Sequence, residues 1–219
     1  YVLRREQSGL LDNELDRWWQ ALHPRNAGVS ANTWTQAIPS RHGQRKRQTA
    51  WYVRPPCTCS YSYGRTHQPA ASDVSFCGTI DEITCRVAKV LGIEPPNSVN
   101  LNFYEAGGGY AFHADDEDLF DGLNRDACII SFSLAGDGDG DRWFEVKRKG
   151  PKGKNGKGVG KSDAPFAVKL QHGDIMSMEG SFQRHFLHSV WPGDRHLLAG
   201  RGRSALGERV NLSWRTIVK

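Results

Sequence analysis

Residues 99–115 read VNLNFYEAGGGYAFHAD, and this stretch decides the fold. Its first six residues alternate between apolar and polar side chains, the pattern of a strand that buries one face. Three consecutive glycines, residues 107–109, then turn the chain. His113 and Asp115 follow two residues apart, so in an extended segment both side chains leave the same face. An imidazole and a carboxylate in this arrangement are two of the three ligands that suit non-haem Fe(II) with open coordination positions.

The same alternation runs through residues 208–215, ERVNLSWR. The polar side chains, including Arg209 and Arg215, share one face, and the apolar side chains share the other. Because Arg binds carboxylates through a bidentate fork, such a strand is typical of an anion-binding site. Taken alone, the pattern favours an edge strand with one solvated face. Upstream, HFLHS at residues 185–189 offers the missing imidazole.

Together these motifs resemble the AlkB family of Fe(II)/2-oxoglutarate dioxygenases, over most of the chain from residue 45 to residue 217. The resemblance rests on the order and spacing of the H-x-D, H-x-x-H-S, N-x-Y and R-x-N-x-S-x-R motifs. It implies that Fe(II) is held by His113, Asp115 and His188, since the family pattern places the ligand second in H-x-x-H-S. Likewise, it implies that 2-oxoglutarate is held by Asn102, Tyr104, Arg209, Asn211, Ser213 and Arg215.

The two arginines of the C-terminal motif are expected to act at different ends of 2-oxoglutarate. Arg209 and Arg215 are separated by roughly 20 Å along an ideal strand, too far to grip one carboxylate. We therefore expect Arg209 to bind the distal carboxylate and Arg215 to lie nearer the metal.

The resemblance implies a mainly β fold with flanking helices (α+β), namely a double-stranded β-helix, or jelly roll. The length of 219 residues fits a single domain, residues 1–219. Within it, we expect residues 1–98 to carry the N-terminal helices and a substrate lid, and residues 99–219 to form the catalytic core.

Hydrophobic periodicity predicts two helices in the N-terminal part. One spans residues 9–22 with Ser8 as its N-cap. The other spans residues 79–91, begins with a capping box of Thr79 and Glu82, and ends at a glycine. Further strands are predicted at residues 127–135, 142–146 and 166–169.

The residues before the core resemble the substrate lid of AlkB members that repair nucleic acid. A basic run at residues 41–47 precedes two aromatic pairs. Basic side chains attract phosphates and aromatic side chains stack on bases, so this combination is typical of single-strand binding. An alternative interpretation is equally open. The tyrosine-rich segment would then be a hairpin that only covers the core, and the basic run would be a solvated loop. The residues interpreted as substrate-binding are Trp51, Tyr52, Tyr61, Tyr63, Glu117, Arg142 and His185. Those interpreted as contacts to the nucleic-acid backbone are Arg45, Lys46 and Arg47.

These features predict oxidative demethylation of N-methylated bases in DNA or RNA, using Fe(II), O2 and 2-oxoglutarate. The net charge of +5 and the pI near 9.0 favour a polyanionic partner. Residues 37–39 lack the aromatic wedge of duplex-acting relatives, which favours single strands. Two alternatives stay open: the same chemistry on a protein or small molecule, and a non-catalytic nucleic-acid-binding module, against which the intact triad argues.

Other features of the sequence exclude some classes of protein. No apolar run is long enough for a membrane span, and the start of the chain lacks the apolar region of a signal peptide. We therefore expect an intracellular monomer, in nucleus or cytoplasm, trimmed from a longer chain because it begins at Tyr1. The five cysteines lack zinc-site spacing and are expected to be free thiols.

Overall fold

The computed structural model describes residues 1–26, 33–36, 47–63, 66–136, 140–150, 166–192 and 207–218. Within these segments two antiparallel sheets pack face to face, and helices cover the outer face of the larger sheet. The helices are α1 (Arg5–Ser8), α2 (Asp12–Leu22), α3 (Val74–Leu91) and α4 (Phe182–His185). The strands are β1 (Val2–Leu3), β2 (Thr35–Gln36), β3 (Arg47–Val53), β4 (Tyr61–Tyr63), β5 (Thr66–Gln68), β6 (Ser98–Tyr104), β7 (Tyr110–His113), β8 (Ile129–Ala135), β9 (Arg142–Arg148), β10 (Phe166–Leu170), β11 (Ile175–Met178), β12 (Phe186–Pro192) and β13 (Arg209–Arg215).

The larger sheet has seven strands in the order β1-β11-β8-β13-β6-β3-β2, and the smaller has four in the order β10-β9-β12-β7. A separate pair, β4 with β5, completes the strands of the described segments. Strands that are distant in sequence lie side by side in both sheets, so the predicted jelly roll is confirmed. Strands β1, β2 and β3 belong to the larger sheet, so the N-terminal region completes this sheet as well as supplying helices.

The two strands predicted from alternation are neighbours at the centre of the larger sheet. Asn211 of β13 pairs with Asn102 of β6, and Arg209 pairs with Tyr104. Directly paired residues point to the same side of a sheet, so the polar faces of β6 and β13 form one surface. Their apolar faces lie in the core beneath α2 and α3, where the Leu101 and Leu212 side chains are fully buried.

Helix α2 begins later than predicted. Gly9 ends α1 in a left-handed conformation with φ +65°, and the chain is redirected before α2 starts at Asp12. Ser8 is therefore the last residue of α1 and not an N-cap. The carboxylate of Glu14 accepts the backbone N–H of Leu11 at 2.8 Å and satisfies a free donor at the start of α2.

Helix α3 begins earlier than predicted, at Val74 instead of residue 79. The N-cap is Asp73, whose carboxylate accepts the Phe76 N–H at 2.9 Å. Glu82 lies inside the helix and pairs with Arg17 of α2, so the predicted capping box is wrong. None of the helices in the described segments is both long and apolar enough to cross a membrane.

Two of the cysteines depart from the expectation of free thiols. Cys57 and Cys59 form a disulfide, with Cα atoms 5.7 Å apart, a separation that a bridge can span. Cys77, Cys85 and Cys128 are free, as expected.

Candidate active site

Three potential metal ligands come together between the two sheets. His113 ends β7, Asp115 follows in the next loop, and His188 of β12 pairs with His113 across the smaller sheet. Their ligand atoms all lie within 4.8 Å of one another. His113 Nε2 is 3.6 Å and His188 Nε2 is 3.8 Å from the Asp115 carboxylate. Two imidazoles and one carboxylate are the donor set of a non-haem Fe(II) site, so these residues fit the predicted metal.

Both imidazoles are held in the neutral form that binds metals. His113 Nδ1 lies 2.9 Å from the carbonyl oxygen of Ala111, which can only accept, so Nδ1 donates and Nε2 keeps its lone pair. Burial, with a smaller contribution from His188, lowers the pKa of His113 to about 3. Burial also lowers the pKa of His188. The two rings therefore offer lone pairs to a cation at neutral pH.

Asp115 is oriented by tertiary contacts and not by strand alternation, because β7 ends at His113. Its backbone N–H donates to Gln183 Oε1 at 2.9 Å, and its Oδ2 accepts a hydrogen bond from Arg215 Nη2 at 2.6 Å. Burial by itself would raise the pKa of Asp115, but the charge and hydrogen bond of Arg215, together with His188 and His113, outweigh burial and hold the pKa below its usual range. The carboxylate is therefore ionised and fixed in position.

The triad opens into a cavity of about 270 Å³ between the sheets. The residues of the cavity wall that were predicted to hold 2-oxoglutarate are Asn102, Tyr104, Asn211, Ser213 and Arg215. Arg209 lies beside the cavity, with its guanidinium carbon 5.7 Å from the centroid of the Tyr104 ring. Arg215, bound to Asp115, is at the metal end, and Arg209 is six residues away on the same strand. The assignment of the two arginines to opposite ends of the co-substrate stays a prediction.

The surroundings of Arg209 favour an anion. Only 1% of Arg209 is exposed, and its Nη2 donates to Ser133 Oγ at 2.7 Å. Its Nε and Nη1 have no hydrogen-bond partner within the described segments. Burial lowers the pKa of Arg209 to about 10. Because a buried guanidinium with unused donors is unfavourable by itself, a carboxylate of 2-oxoglutarate fits this position.

Three of the residues interpreted as substrate-binding, Tyr61, Tyr63 and Glu117, line the same cavity as the triad. The Tyr61 hydroxyl donates to Glu117 Oε1 at 2.8 Å. Burial, together with the charge of Asp115, raises the pKa of Glu117 to about 7. Glu117 Oε2 has no partner among the described residues, so this oxygen can accept a hydrogen bond from a bound molecule.

The other four residues interpreted as substrate-binding lie away from the cavity wall. Trp51 packs behind Tyr61, with ring centroids 4.8 Å apart. Tyr52 faces the opposite side of β3 and belongs to the core beneath the helices. Arg142 is fully buried and donates to five backbone carbonyl groups, so it organises loops. His185 is exposed at the end of α4. The structure thus gives Trp51, Tyr52 and Arg142 packing roles in place of substrate contacts.

The predicted contacts to a nucleic-acid backbone are placed only in part. Arg45 and Lys46 lie outside the described residues, as do residues 37–39. Arg47 is 3% exposed and lines the cavity. Its guanidinium cannot reach a phosphate at the protein surface, so the assignment of Arg47 to the backbone is corrected. The reason is strand parity, because Arg47 starts β3 on the same face that carries Thr49 and Trp51.

Some residues of the site were absent from the sequence interpretation. Asn100 lines the cavity, and its place two residues before Asn102 on an alternating strand could have identified it. Ser131 also lines the cavity and accepts a hydrogen bond from Asn211 Nδ2 at 2.8 Å. No local sequence pattern could have identified Ser131 and Gln183 as site residues, because their positions depend on how distant segments pair.

Comparisons with known proteins agree with this geometry. Residues 7–215 match a family described as the 2OG-Fe(II) oxygenase superfamily. Over 153 residues the chain is 29% identical to the DNA oxidative demethylase ALKBH2 of Arabidopsis thaliana, covering 64% of this chain and 43% of that relative. The solved structure of OsALKBH1 has the same fold, with a TM-score of 0.53 and 18% identity over 99% of this chain and 97% of that chain. This chain spans less than half the length of the curated relative from Arabidopsis thaliana. The match to the family over most of its length shows that the chain belongs to the 2OG-Fe(II) oxygenase superfamily.

Proposed function

We propose that the protein is an oxidative demethylase of N-methylated bases in DNA or RNA, with single strands as the favoured substrate. The observation that carries this proposal is that Tyr61, Tyr63 and Glu117 line the same cavity as the iron ligands. The net charge of +5 suits a polyanionic substrate. A relative that is 29% identical bears the name of a DNA oxidative demethylase, which supports the same substrate class.

When bound, Fe(II) and 2-oxoglutarate supply an oxidant from O2 that inserts one oxygen atom into a substrate C–H bond, with succinate and CO2 as co-products. On an N-methyl group the product is an N-hydroxymethyl base, which loses formaldehyde and regains its N–H. The protein holds the methyl group beside the triad and excludes water. Asp115 and His188 are each only 4% exposed, in keeping with such a site.

The size of the cavity supports a substrate base that is outside a stacked duplex. A space of about 270 Å³ can receive a small part of a substrate beside the co-substrate, but not a base pair. A base must then come from a single strand or be flipped out, and unpaired bases cost least to extract. Inside the cavity, Glu117 Oε2 is available to accept an exocyclic N–H of adenine or cytosine, while Tyr61 holds the other oxygen.

The proposal is tested with single-stranded DNA and RNA oligonucleotides that each carry one methylated base, incubated with Fe(II), 2-oxoglutarate and O2. Mass spectrometry should show loss of the methyl group from N-methylated adenine or cytosine, with formaldehyde released. His188→Ala should be inactive. His185→Ala removes an imidazole that lies on the exposed end of α4 and is the matched control, which should stay active.

The negative outcomes separate the alternatives. If no methylated oligonucleotide stimulates 2-oxoglutarate consumption although the protein binds Fe(II) and 2-oxoglutarate, the demethylase proposal is wrong. The same chemistry on a protein or small molecule then becomes the better assignment. Binding of oligonucleotides without binding of metal or co-substrate would instead indicate a non-catalytic module.

A further inference from the structure

Arg47 occupies a position in the cavity that neither the metal motif nor the C-terminal motif accounts for. It is 3% exposed and lines the cavity together with Asn102 and Tyr104. Arg47 on β3 pairs with Tyr104 on β6, and Tyr104 pairs on its other side with Arg209 on β13. Two buried guanidinium groups therefore flank one tyrosine at the end of the cavity assigned to the distal carboxylate.

The guanidinium of Arg47 connects three parts of the cavity wall. Nη1 donates to Asn102 Oδ1 at 3.1 Å, and Nη2 donates to the Tyr63 hydroxyl at 3.1 Å. Its central carbon lies 3.9 Å from the centroid of the Tyr110 ring, which packs at 4.2 Å against the ring of His113. One cation thus contacts a co-substrate residue, the β4–β5 pair and the strand that carries a metal ligand.

The contacts of Arg47 leave room for an anion. These partners, Asn102, Tyr63 and Tyr110, are neutral side chains. Arg47 Nε has no hydrogen-bond partner among the described residues. A buried cation with neutral partners is unfavourable unless a counter-charge arrives, and 2-oxoglutarate is a dianion.

We propose that Arg47 binds the distal carboxylate of 2-oxoglutarate together with Arg209, and that this contact positions the β4–β5 pair. A guanidinium fixed by the carboxylate holds the Tyr63 hydroxyl, and Tyr63 packs against Tyr61 with ring centroids 4.9 Å apart. Tyr61 in turn holds Glu117. Binding of 2-oxoglutarate therefore completes the substrate side of the cavity before substrate enters. The inference rests on membership of the superfamily and is independent of which substrate is oxidised.

Two measurements on the whole chain test the proposal, with Mn(II) in place of Fe(II) so that no turnover occurs. Calorimetry gives the Kd of 2-oxoglutarate, and hydrogen exchange of β4 and β5 reports how far 2-oxoglutarate slows exchange there. Arg47→Gln should weaken 2-oxoglutarate binding about tenfold or more and abolish the slowing. Tyr63→Phe should keep the Kd within about twofold, since only one neutral hydrogen bond is lost, and should abolish the slowing.

Arg54→Gln is the matched control. Arg54 lies just after β3 and pairs with Asp81 at 2.6 Å, so both readouts should equal those of the wild type. Wild-type affinity in Arg47→Gln, or full slowing in Tyr63→Phe, would overturn the proposal. If Arg47→Gln does not fold by circular dichroism, Arg47→Lys replaces it. The lysine keeps the charge but loses the fork, so retained slowing in that variant would also overturn the proposal.

Discussion

Replacing Arg209 with methionine would separate two effects of its buried charge. One is the loss of folding stability, and the other is the gain in affinity for 2-oxoglutarate. The side chain is 1% exposed, and two of its three guanidinium nitrogens lack partners in the described segments. Burial lowers its pKa to about 10, which corresponds to ~3 kcal/mol against the charged form. Methionine removes the charge and keeps most of the volume. We therefore expect the free energy of unfolding of the co-substrate-free protein to stay constant or to rise by up to ~3 kcal/mol.

The affinity for 2-oxoglutarate should change in the opposite direction. A hydrogen bond between charged groups contributes about 1.5 to 3 kcal/mol, so loss of the Arg209 contact should raise the Kd by about 10- to 150-fold. Calorimetry with Mn(II)-loaded protein measures the Kd, and denaturant unfolding without co-substrate measures the stability. The increase in Tm on addition of 2-oxoglutarate should shrink in parallel.

Arg142→Met is the matched control, because Arg142 is equally buried but donates to five backbone carbonyl groups. Its loss leaves buried acceptors unsatisfied and should cost about 3 kcal/mol or more of stability. Wild-type affinity for 2-oxoglutarate in Arg209→Met would refute the assignment of Arg209 to the co-substrate. If Arg209→Met is destabilised as much as Arg142→Met, the buried charge of Arg209 is not unfavourable in the co-substrate-free protein, and this part of the reasoning is refuted.

Further predictions concern the metal, the substrate and the scaffold. His188→Ala should lose Fe(II) binding in metal analysis with an unchanged circular dichroism spectrum, whereas His185→Ala should bind one Fe(II) per chain; the reverse result would reassign the ligand. Tyr61→Phe removes the 2.8 Å hydrogen bond to Glu117 and should change the ratio of kcat/KM between methylated adenine and methylated cytosine; an unaltered ratio would contradict this role. Asp73→Ala removes the N-cap of α3 and should lower the free energy of unfolding by about 1 kcal/mol in a denaturant titration, while an unchanged midpoint would show that the cap is dispensable.

Local patterns predicted individual strands, whereas the jelly roll and the complete metal site were implied by the resemblance to the AlkB family. Alternation of polar and apolar residues identified β6 and β13, and parity placed their polar side chains on one face. The motif order then supplied what alternation cannot, namely that His188 from a distant strand joins His113 and Asp115. His113 and Asp115 lie close together, but not because they share a strand face. Asp115 lies beyond the end of β7 and is oriented by Gln183 and Arg215.

The substrate side of the site was less predictable because it depends on tertiary contacts. Trp51 and Tyr52 are adjacent in β3, so they cannot both face the cavity, and their parity could have excluded one of them. Arg47 was interpreted as a contact to the nucleic-acid backbone and Arg142 as substrate-binding, yet both side chains are buried. No local pattern could show this, because the groups that accept their hydrogen bonds come from segments far along the chain.

Whether this cavity oxidises methyl groups on nucleic-acid bases is decided by the ratio of formaldehyde released to succinate formed. The measurement uses wild-type protein with Fe(II), 2-oxoglutarate and a single-stranded oligonucleotide that carries one N-methylated adenine or cytosine, beside its unmethylated twin. We expect one formaldehyde per succinate with the methylated strand and only background succinate with the twin. Equal succinate from both strands, with no formaldehyde, would contradict the assignment of a methylated base to the space beside His113, Asp115 and His188.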